Sequence, residues 1–364
     1  MRNIYNFSAG PAMLPEPVLA QVGAELTDFG ATRQSVMELS HRSATWRSVM
    51  EETEARLRSL MQIPGHYKVF FLQGGASSQF AMVPLNLMHT SGKADYVLTG
   101  QWATKAYQEG ARYGTVRVAA SSADRNFAYI PPLPPEVFDP DADYVHICMN
   151  NTIYGTRFRA IPDTGNVPLV GDISSCILSA PLDVSRFGLL YAGAQKNMGI
   201  AGLTVVIVRE DLLGRARNDC PAMFNYQIHA DHGSMYNTPP CFSIYVMLLV
   251  LRWLENTIGG LENMAHINEA KAKILYDRLD ASRLFRGTAD IADRSWMNVP
   301  FTTGDSRLDQ QFLREAAGAG LVNLSGHRAV GGMRASLYNA MPVEGVEKLV
   351  ECMVGFEKEY RMER

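Results

Sequence analysis

The stretch Gly188-Leu-Leu-Tyr-Ala-Gly-Ala-Gln-Lys-Asn-Met-Gly199 decides how this chain is read. It opens apolar, with Leu189, Leu190 and Tyr191, and reads as a short buried strand. It then breaks into Ala192, Gly193 and Ala194, small residues that let backbone or a ligand come close, and presents Gln195-Lys196. A lysine at the end of a buried strand is costly while charged and unpaired. In a partly desolvated site its amine has a lowered pKa and becomes a nucleophile, which Schiff-base chemistry needs. Upstream, Val167-Pro-Leu-Val-Gly-Asp172 is a second apolar strand, and it ends in an aspartate. A strand-end aspartate followed by a strand-end lysine fits a pyridoxal phosphate site. There the lysine holds the aldehyde and the aspartate pairs with the pyridinium nitrogen.

Working outward, Lys68–Leu72 reads as a strand running into Gln73-Gly-Gly-Ala-Ser-Ser-Gln-Phe80, with helix from Ala81 to Met88. Strand, glycine-rich turn, helix is the arrangement in which backbone N–H groups bind phosphate. It lacks the GK[ST] of a nucleotide loop and is not GxGxxG. It reads equally as a glycine turn capped by Ser77. Tyr96–Gly100 is a strand, and Trp102 just beyond it reads on its own as an ordinary core or surface tryptophan, or as a platform for a planar ligand. Tyr144–Met149 is a strand ending in the polar Asn150-Asn-Thr-Ile-Tyr-Gly155, and Leu203–Arg209 is a β-branched, fully buried strand. Strands alternating with helices from Lys68 to Arg209 predict a mainly parallel sheet covered on both faces.

Gly259-Gly260 marks a change. The reading is a lead at 1–15, a large domain at 16–258 and a smaller α+β domain at 259–364, entered along a charged helix from Leu261 to Leu279. In the small domain His327, Arg328 and Arg334 share one loop–strand segment. They form either a solvated basic patch or, with Arg334 at the start of a semi-buried strand, a seat for an anion such as a substrate carboxylate.

Composition narrows the function classes. The 364 residues are 47% apolar and 20% charged, an ordinary globular profile with an ample core. A net charge of −3 gives no electrostatic case for nucleic acid or an anionic membrane. The longest apolar run, Ile244–Leu251, is far short of a membrane span. Five scattered cysteines without a CxxC read as reduced thiols, with no metal site implied. The opening residues carry no signal-peptide core, so the expectation is a cytoplasmic protein.

Several motifs then fall into one order. Phe7-Ser-Ala-Gly-Pro-Ala-Met-Leu-Pro15, Glu38-Leu-Ser-His-Arg42, Ala192-Gly-Ala-Gln-Lys-Asn197, Gly233-Ser-Met-Tyr-Asn-Thr-Pro-Pro240 and Gly326-His-Arg-Ala-Val-Gly-Gly-Met-Arg-Ala-Ser336 span nearly the whole chain. Together they resemble the phosphoserine aminotransferase family, within the class V, fold-type I pyridoxal phosphate aminotransferases. The resemblance implies an α/β fold-type I transferase, with Lys196 as the Schiff-base lysine and Asp172 as the pyridinium partner. It implies Trp102 stacked on the ring, Thr152 at its phenolic side, and Ala76, Ser77 and Gln195 on the phosphate. Asn237 and Thr238 would reach that phosphate from the other subunit of a homodimer. Arg334 would clamp the substrate α-carboxylate. His41 and Arg42 of the partner, with His327 and Arg328, would receive the distal anion of phosphoserine or glutamate.

Some family members carry Gly-Arg where this chain has Ala76-Ser77, which leaves the distal anion to the other four cationic side chains. Some have serine where Ala9 stands. The implied reaction is transamination between phosphoserine and 2-oxoglutarate in serine biosynthesis, with a related four-carbon phosphohydroxy acid of pyridoxine biosynthesis as a second substrate. An alanine–glyoxylate aminotransferase is the near rival. A nucleotide-binding dehydrogenase is disfavoured by its missing fingerprints.

Overall fold

The computed structural model describes residues 4–362, so the first three residues of the expected lead lie outside the described residues. The chain opens on β1 (Tyr5–Asn6) and α1 (Glu16–Glu25), with Pro17 in the first helical turn, where a missing N–H costs nothing. Helix α2 (Ala44–Met61) starts at Ser43, whose hydroxyl accepts the Trp46 N–H at 3.1 Å. There follow β2 (Tyr67–Leu72), α3 (Gly75–Leu87), β3 (Lys93–Leu98), α4 (Gln101–Gly110), β4 (Thr115–Ser121), β5 (Tyr144–Cys148), β6 (Leu169–Asp172), β7 (Leu189–Gly193) and β8 (Thr204–Arg209). Then come α5 (Tyr226–Asp231), α6 (Cys241–Trp253), α7 (Leu261–Ala281), β9 (Arg286–Gly287), β10 (Asn298–Thr302), α8 (Ser306–Gly318), β11 (Leu321–Val322), β12 (Met333–Ser336) and α9 (Val343–Met362).

Seven strands form the central sheet, in the order β2-β8-β7-β6-β5-β3-β4. The pairs from β7 to β4 are parallel, as the alternation of strand and helix requires. Strand β8 runs against both β7 and β2. Its direction follows from the link Ala194–Leu203, which is too short to hold the crossover helix of a parallel return. That reversal has a consequence for the site. Leu72 and Gly193 both pair with Thr204, so the carboxyl ends of β2 and β7 reach the same edge of the sheet.

Each face of the sheet is covered. One carries α2 and α6 over Val69, Phe71, Val145, Leu190 and Ile207. The other carries α3, α4 and α5 over Phe70, Leu72, Tyr144, Val170 and Val206. In α6, Ser243 to Leu251 are buried without a break. Here the structure corrects the expectation from run length. Cys241–Ile258 is long and apolar enough to cross a membrane, because α6 continues through a wider π turn at Leu254–Ile258, but 56% of it is buried in this chain's own core. The edge strand β4 escaped the sequence reading because none of its residues is fully buried and Arg117 interrupts the apolar pattern. Arg117 instead grips the buried Asp95 with both arms of its guanidinium, at 2.8 and 2.5 Å.

A second core gathers Phe7, Leu275, Leu279, Val299, Phe301, Phe312, Leu337 and Phe356 from the lead, α7, β10, α8, the end of β12 and α9. Helix α7 belongs to both cores, with Leu261 and Met264 in the first and Ala272 and Leu275 in the second. The lead is tied down by a parallel pairing of β1 with β11, which two-residue strands leave invisible in sequence.

Candidate active site

The parallel register lines up Cys148, Asp172 and Tyr191 in one row, because Cys148 pairs with Asp172 and Asp172 with Tyr191. The polar residues beyond these strand ends therefore converge, as the open-sheet rule expects. Asp172 is buried, and its Oδ1 accepts the Ser174 N–H at 2.9 Å. Lys196 follows β7, and its Nζ donates to Thr152 Oγ1 at 3.0 Å. The same amine lies 5.8 Å from the centroid of the Trp102 ring, at the start of α4. Burial lowers the Lys196 pKa below that of a free lysine. The Asp172 carboxylate opposes this shift and the Arg334 guanidinium adds to it.

Helix α3 begins six residues earlier than expected, at Gly75. Gly74 makes that possible by taking φ +95°, and a Cβ there would strike Ser78 Oγ at 1.9 Å. No side chain caps the helix, which corrects the alternative reading of Ser77 as a cap. The first turn, at Ala76 and Ser77, therefore has no side-chain cap. Gln195 packs against the lead. Its carbonyl accepts the Ala12 N–H at 2.9 Å, so the lead lies across the lysine segment. A Cβ on Gly10 would lie 3.2 Å from Lys196 Cγ.

Arg334 enters from β12. Its Nη1 donates to the Thr152 carbonyl at 3.2 Å, and its Nε is buried without a partner. Burial also lowers its pKa. His327 and Arg328 lie in the loop before that strand. The His327 imidazole is held below its usual pKa by burial and then by Arg334, Arg328 and Lys105. Lys105 is a member of this basic cluster that the sequence reading missed. Its position three residues after Trp102 was the available signal, since residues three apart share a helix face. In the structure its Nζ sits 4.8 Å from the Trp102 ring centroid.

Other expected residues stand apart within the single chain. His41 is half-buried and Arg42 exposed, in the turn before α2, and no hydrogen bond or ion pair among the described residues joins them to Lys196. Asn237 and Thr238 are exposed, and the Thr238 carbonyl accepts Gln73 Nε2 at 2.9 Å beside the start of α3.

A buried polar network that the sequence reading also missed fastens the two cores together at the site. Asn150 Nδ2 donates to Ser175 Oγ at 2.8 Å and to Asn298 Oδ1 at 2.9 Å, and its own Oδ1 accepts the Ser295 hydroxyl at 2.6 Å. Asn298 in turn donates to Ser336 Oγ and Tyr338 OH, and the Tyr338 hydroxyl donates to the Ala9 carbonyl at 2.9 Å. Satisfied buried networks of this kind rigidify what they join.

Known proteins place this architecture. The family described as Aminotransferase class-V matches residues 4–349. Phosphoserine aminotransferase of Nitrosomonas europaea is 56% identical to the chain, over 99% of this chain and 100% of the relative. A solved phosphoserine aminotransferase, studied for radiation damage of its Schiff base, superposes with a TM-score of 0.96 at 46% identity, covering 99% of this chain and all of that one. The phosphoserine aminotransferase of Trichomonas vaginalis with pyridoxal phosphate bound gives 0.92 at 38% identity, over 96% of this chain and 99% of that one. The fold is the fold-type I architecture of these aminotransferases, and the chain belongs to the class-V aminotransferase family, on its phosphoserine aminotransferase branch.

Proposed function

We propose that the protein carries out reversible transamination between O-phospho-L-serine and 2-oxoglutarate, giving 3-phosphohydroxypyruvate and L-glutamate, with pyridoxal phosphate as cofactor. The observation that carries this reading is the meeting of Lys196, Asp172, Trp102 and Arg334 at one sheet edge. The residues fit the cofactor. The uncapped first turn of α3 suits a phosphate, the Trp102 ring faces the amine, and Asp172 is a buried carboxylate within electrostatic reach of it. Arg334 Nε and Trp102 Nε1 are buried polar atoms without partners, which suits a site built around a further polar group.

Pyridoxal phosphate, when bound, supplies an aldehyde for an amine and an electron-withdrawing ring that acidifies the substrate's α-proton. Asp172 would pair with the ring nitrogen and keep it protonated. Ala76, Ser77 and Gln195 would hold the phosphate, with Asn237 and Thr238 of a second subunit, and Thr152 would lie at the phenolic side. Arg334 orients the substrate through its α-carboxylate, fork to fork. Lys196 would hold the cofactor's aldehyde, and the burial that lowers its pKa would suit its amine to serve as the base for the substrate's α-proton. His327 and Arg328, with His41 and Arg42 of the partner, receive the distal phosphate or carboxylate. The His327 imidazole adapts its charge to either.

The reading extends to a homodimer with shared sites, to 4-phosphohydroxy-L-threonine as a second substrate in pyridoxine biosynthesis, and to the cytoplasm. Five free thiols support the last. It also keeps the division at 1–15, 16–258 and 259–364, supported by the Gly259-Gly260 break.

The test is the absorbance of the protein saturated with pyridoxal phosphate, before and after glutamate, and then after 3-phosphohydroxypyruvate. The band of the lysine-linked cofactor is expected to fall with the first and return with the second. If no such band forms, Lys196 is not the linking residue and the reading fails at its centre. If glutamate acts and the phosphorylated acid does not, the substrate assignment fails while the chemistry stands.

A further inference from the structure

Lys271 lies on α7 with no exposed surface at all. Among the described residues its ammonium faces no carboxylate. It is instead enclosed by backbone carbonyls, donating to Tyr338 O at 2.9 Å, Met341 O at 3.0 Å, Leu337 O at 3.1 Å and, more loosely, Asn339 O at 3.5 Å. A buried ammonium is expensive unless every proton finds an acceptor. Three protons here meet four acceptors on a single turn, residues 337–341, which directly follows the strand that carries Arg334. Convergent carbonyls of this kind form the chemistry of a monovalent cation site, with the lysine as its built-in cation.

The turn that Lys271 gathers reaches the catalytic edge by two further links. The Asn339 N–H donates to Asn197 Oδ1 at 2.8 Å, and Asn197 is the residue after Lys196. Asn339 Nδ2 donates to the Leu178 carbonyl at 2.8 Å. From α7 itself, Asn268, one turn before Lys271 on the same face, donates to Asn339 Oδ1 at 2.9 Å and to the Ser179 carbonyl at 2.9 Å. The turn is therefore held from α7 and touches both the Arg334 strand and the Lys196 segment.

We propose that Lys271 is a positioning residue of the active site: its ammonium draws the 337–341 carbonyls together and thereby fixes the distance between Arg334 and Lys196. The proposal rests on the reading of Arg334 as the substrate carboxylate clamp. It contacts neither substrate nor cofactor, so its signature is indirect.

The experiment compares the wild-type holoenzyme with Lys271→Ala and with Asn197→Ala. Asn197→Ala leaves the carbonyl cage intact and cuts its link to the lysine segment. In Lys271→Ala, KM for glutamate is expected to rise about tenfold or more, with a smaller change in kcat, because a displaced guanidinium loses carboxylate affinity first. Potassium ion should bind the vacated cage. It is expected to lower that KM again and to raise the thermal midpoint of the cofactor-free variant, with no such effect on wild type and none from lithium. A folded Lys271→Ala with wild-type KM overturns the proposal, as does a raised KM that potassium leaves unchanged. If Lys271→Ala does not fold, Asn197→Ala decides: a raised KM at a near-native thermal midpoint supports the proposal, and an unchanged KM overturns it. Should wild type show no transamination at all, the functional reading has failed, and the potassium-dependent midpoint still reports on the cage.

Discussion

Lys196 Nζ donates to the Thr152 hydroxyl at 3.0 Å. The backbone carbonyl of that same threonine accepts Arg334 Nη1 at 3.2 Å. One residue thus meters both the amine that would do the chemistry and the guanidinium that would hold the substrate. Thr152→Val removes only the first contact, since the carbonyl remains. A net hydrogen bond to a neutral amine contributes about 0.5–1.5 kcal/mol, so kcat/KM is expected to fall roughly 2- to 13-fold. Most of that loss should appear in kcat, and the thermal midpoint should stay near wild type. Steady-state kinetics with glutamate checks it. A loss confined to KM would mean that the Thr152 hydroxyl does not act through the lysine.

Arg334 and Arg42 should fail differently. Arg334→Lys keeps a charge but loses the planar fork that matches a carboxylate. Every amino-acid substrate shares that carboxylate, so KM should rise by a similar factor, on the order of tenfold or more, for phosphoserine, glutamate and alanine alike. Arg42→Ala should weaken phosphoserine strongly and alanine hardly at all, because alanine has no distal anion. Inorganic phosphate should compete with phosphoserine in wild type and lose that effect in Arg42→Ala. Equal effects of Arg42→Ala on phosphoserine and alanine would remove it from the distal pocket, and would favour an alanine–glyoxylate type of specificity.

The sequence carried the mainly parallel sheet and the positions of Asp172 and Lys196 near neighbouring strand ends because both are written locally. Apolar runs of strand length lead into an aspartate and a lysine. What it withheld are relationships between distant segments. The carbonyl cage around Lys271 is made of backbone, which has no signature in side-chain identity. The Asn150–Ser295–Asn298 network joins residues some 145 positions apart, and each alone reads as an ordinary polar residue. The reversed β8 looks like its parallel neighbours because a fully buried strand has the same composition in either direction. The early start of α3 was hidden by Gly74 and Gly75, which are poor helix residues but good ones for opening a helix at positive φ.

His146 supplies a pH dependence unconnected with catalysis. It lies on β5, its Nε2 is 2.8 Å from the Tyr191 hydroxyl, and its Nδ1 is buried without a partner. Burial pushes its pKa from 6.5 down to about 3. Between those two values the unfolded chain binds a proton that the folded chain does not. Stability from this group is therefore complete above pH 6.5 and is lost progressively as pH falls toward 3, by up to a few kcal/mol. In His146→Gln the decline of the urea midpoint from pH 7 to pH 4 should be shallower than in wild type, whatever the variant's stability at pH 7. Parallel declines would show that His146 is not a source of the acid sensitivity.

The half-buried His41 and the exposed Arg42, Asn237 and Thr238 stand apart from Lys196 in the single chain, which allows the shared-site reading to be tested in solution. If Arg42 serves the partner's lysine, a dimer of one Lys196→Ala subunit and one Arg42→Ala subunit carries both defects in one site and none in the other. The site built on the intact Lys196 receives the intact Arg42. Mixing the two nearly inactive variants, unfolding and refolding them together at equal concentrations, should place half of the dimers in the hybrid form, each with one whole site. Phosphoserine turnover should then recover to about a quarter of wild type. Were Arg42 to serve the lysine of its own chain, each site in the hybrid would still carry one defect and no recovery would occur. A control mixture of Lys196→Ala with Asp172→Ala separates the two cases further. Both of those residues are fixed to the same sheet edge of one chain, so their hybrids pair one whole site with one doubly damaged site only if Asp172 crossed the interface. The register of β6 with β7 rules that out. That control should stay inactive while the Arg42 mixture recovers.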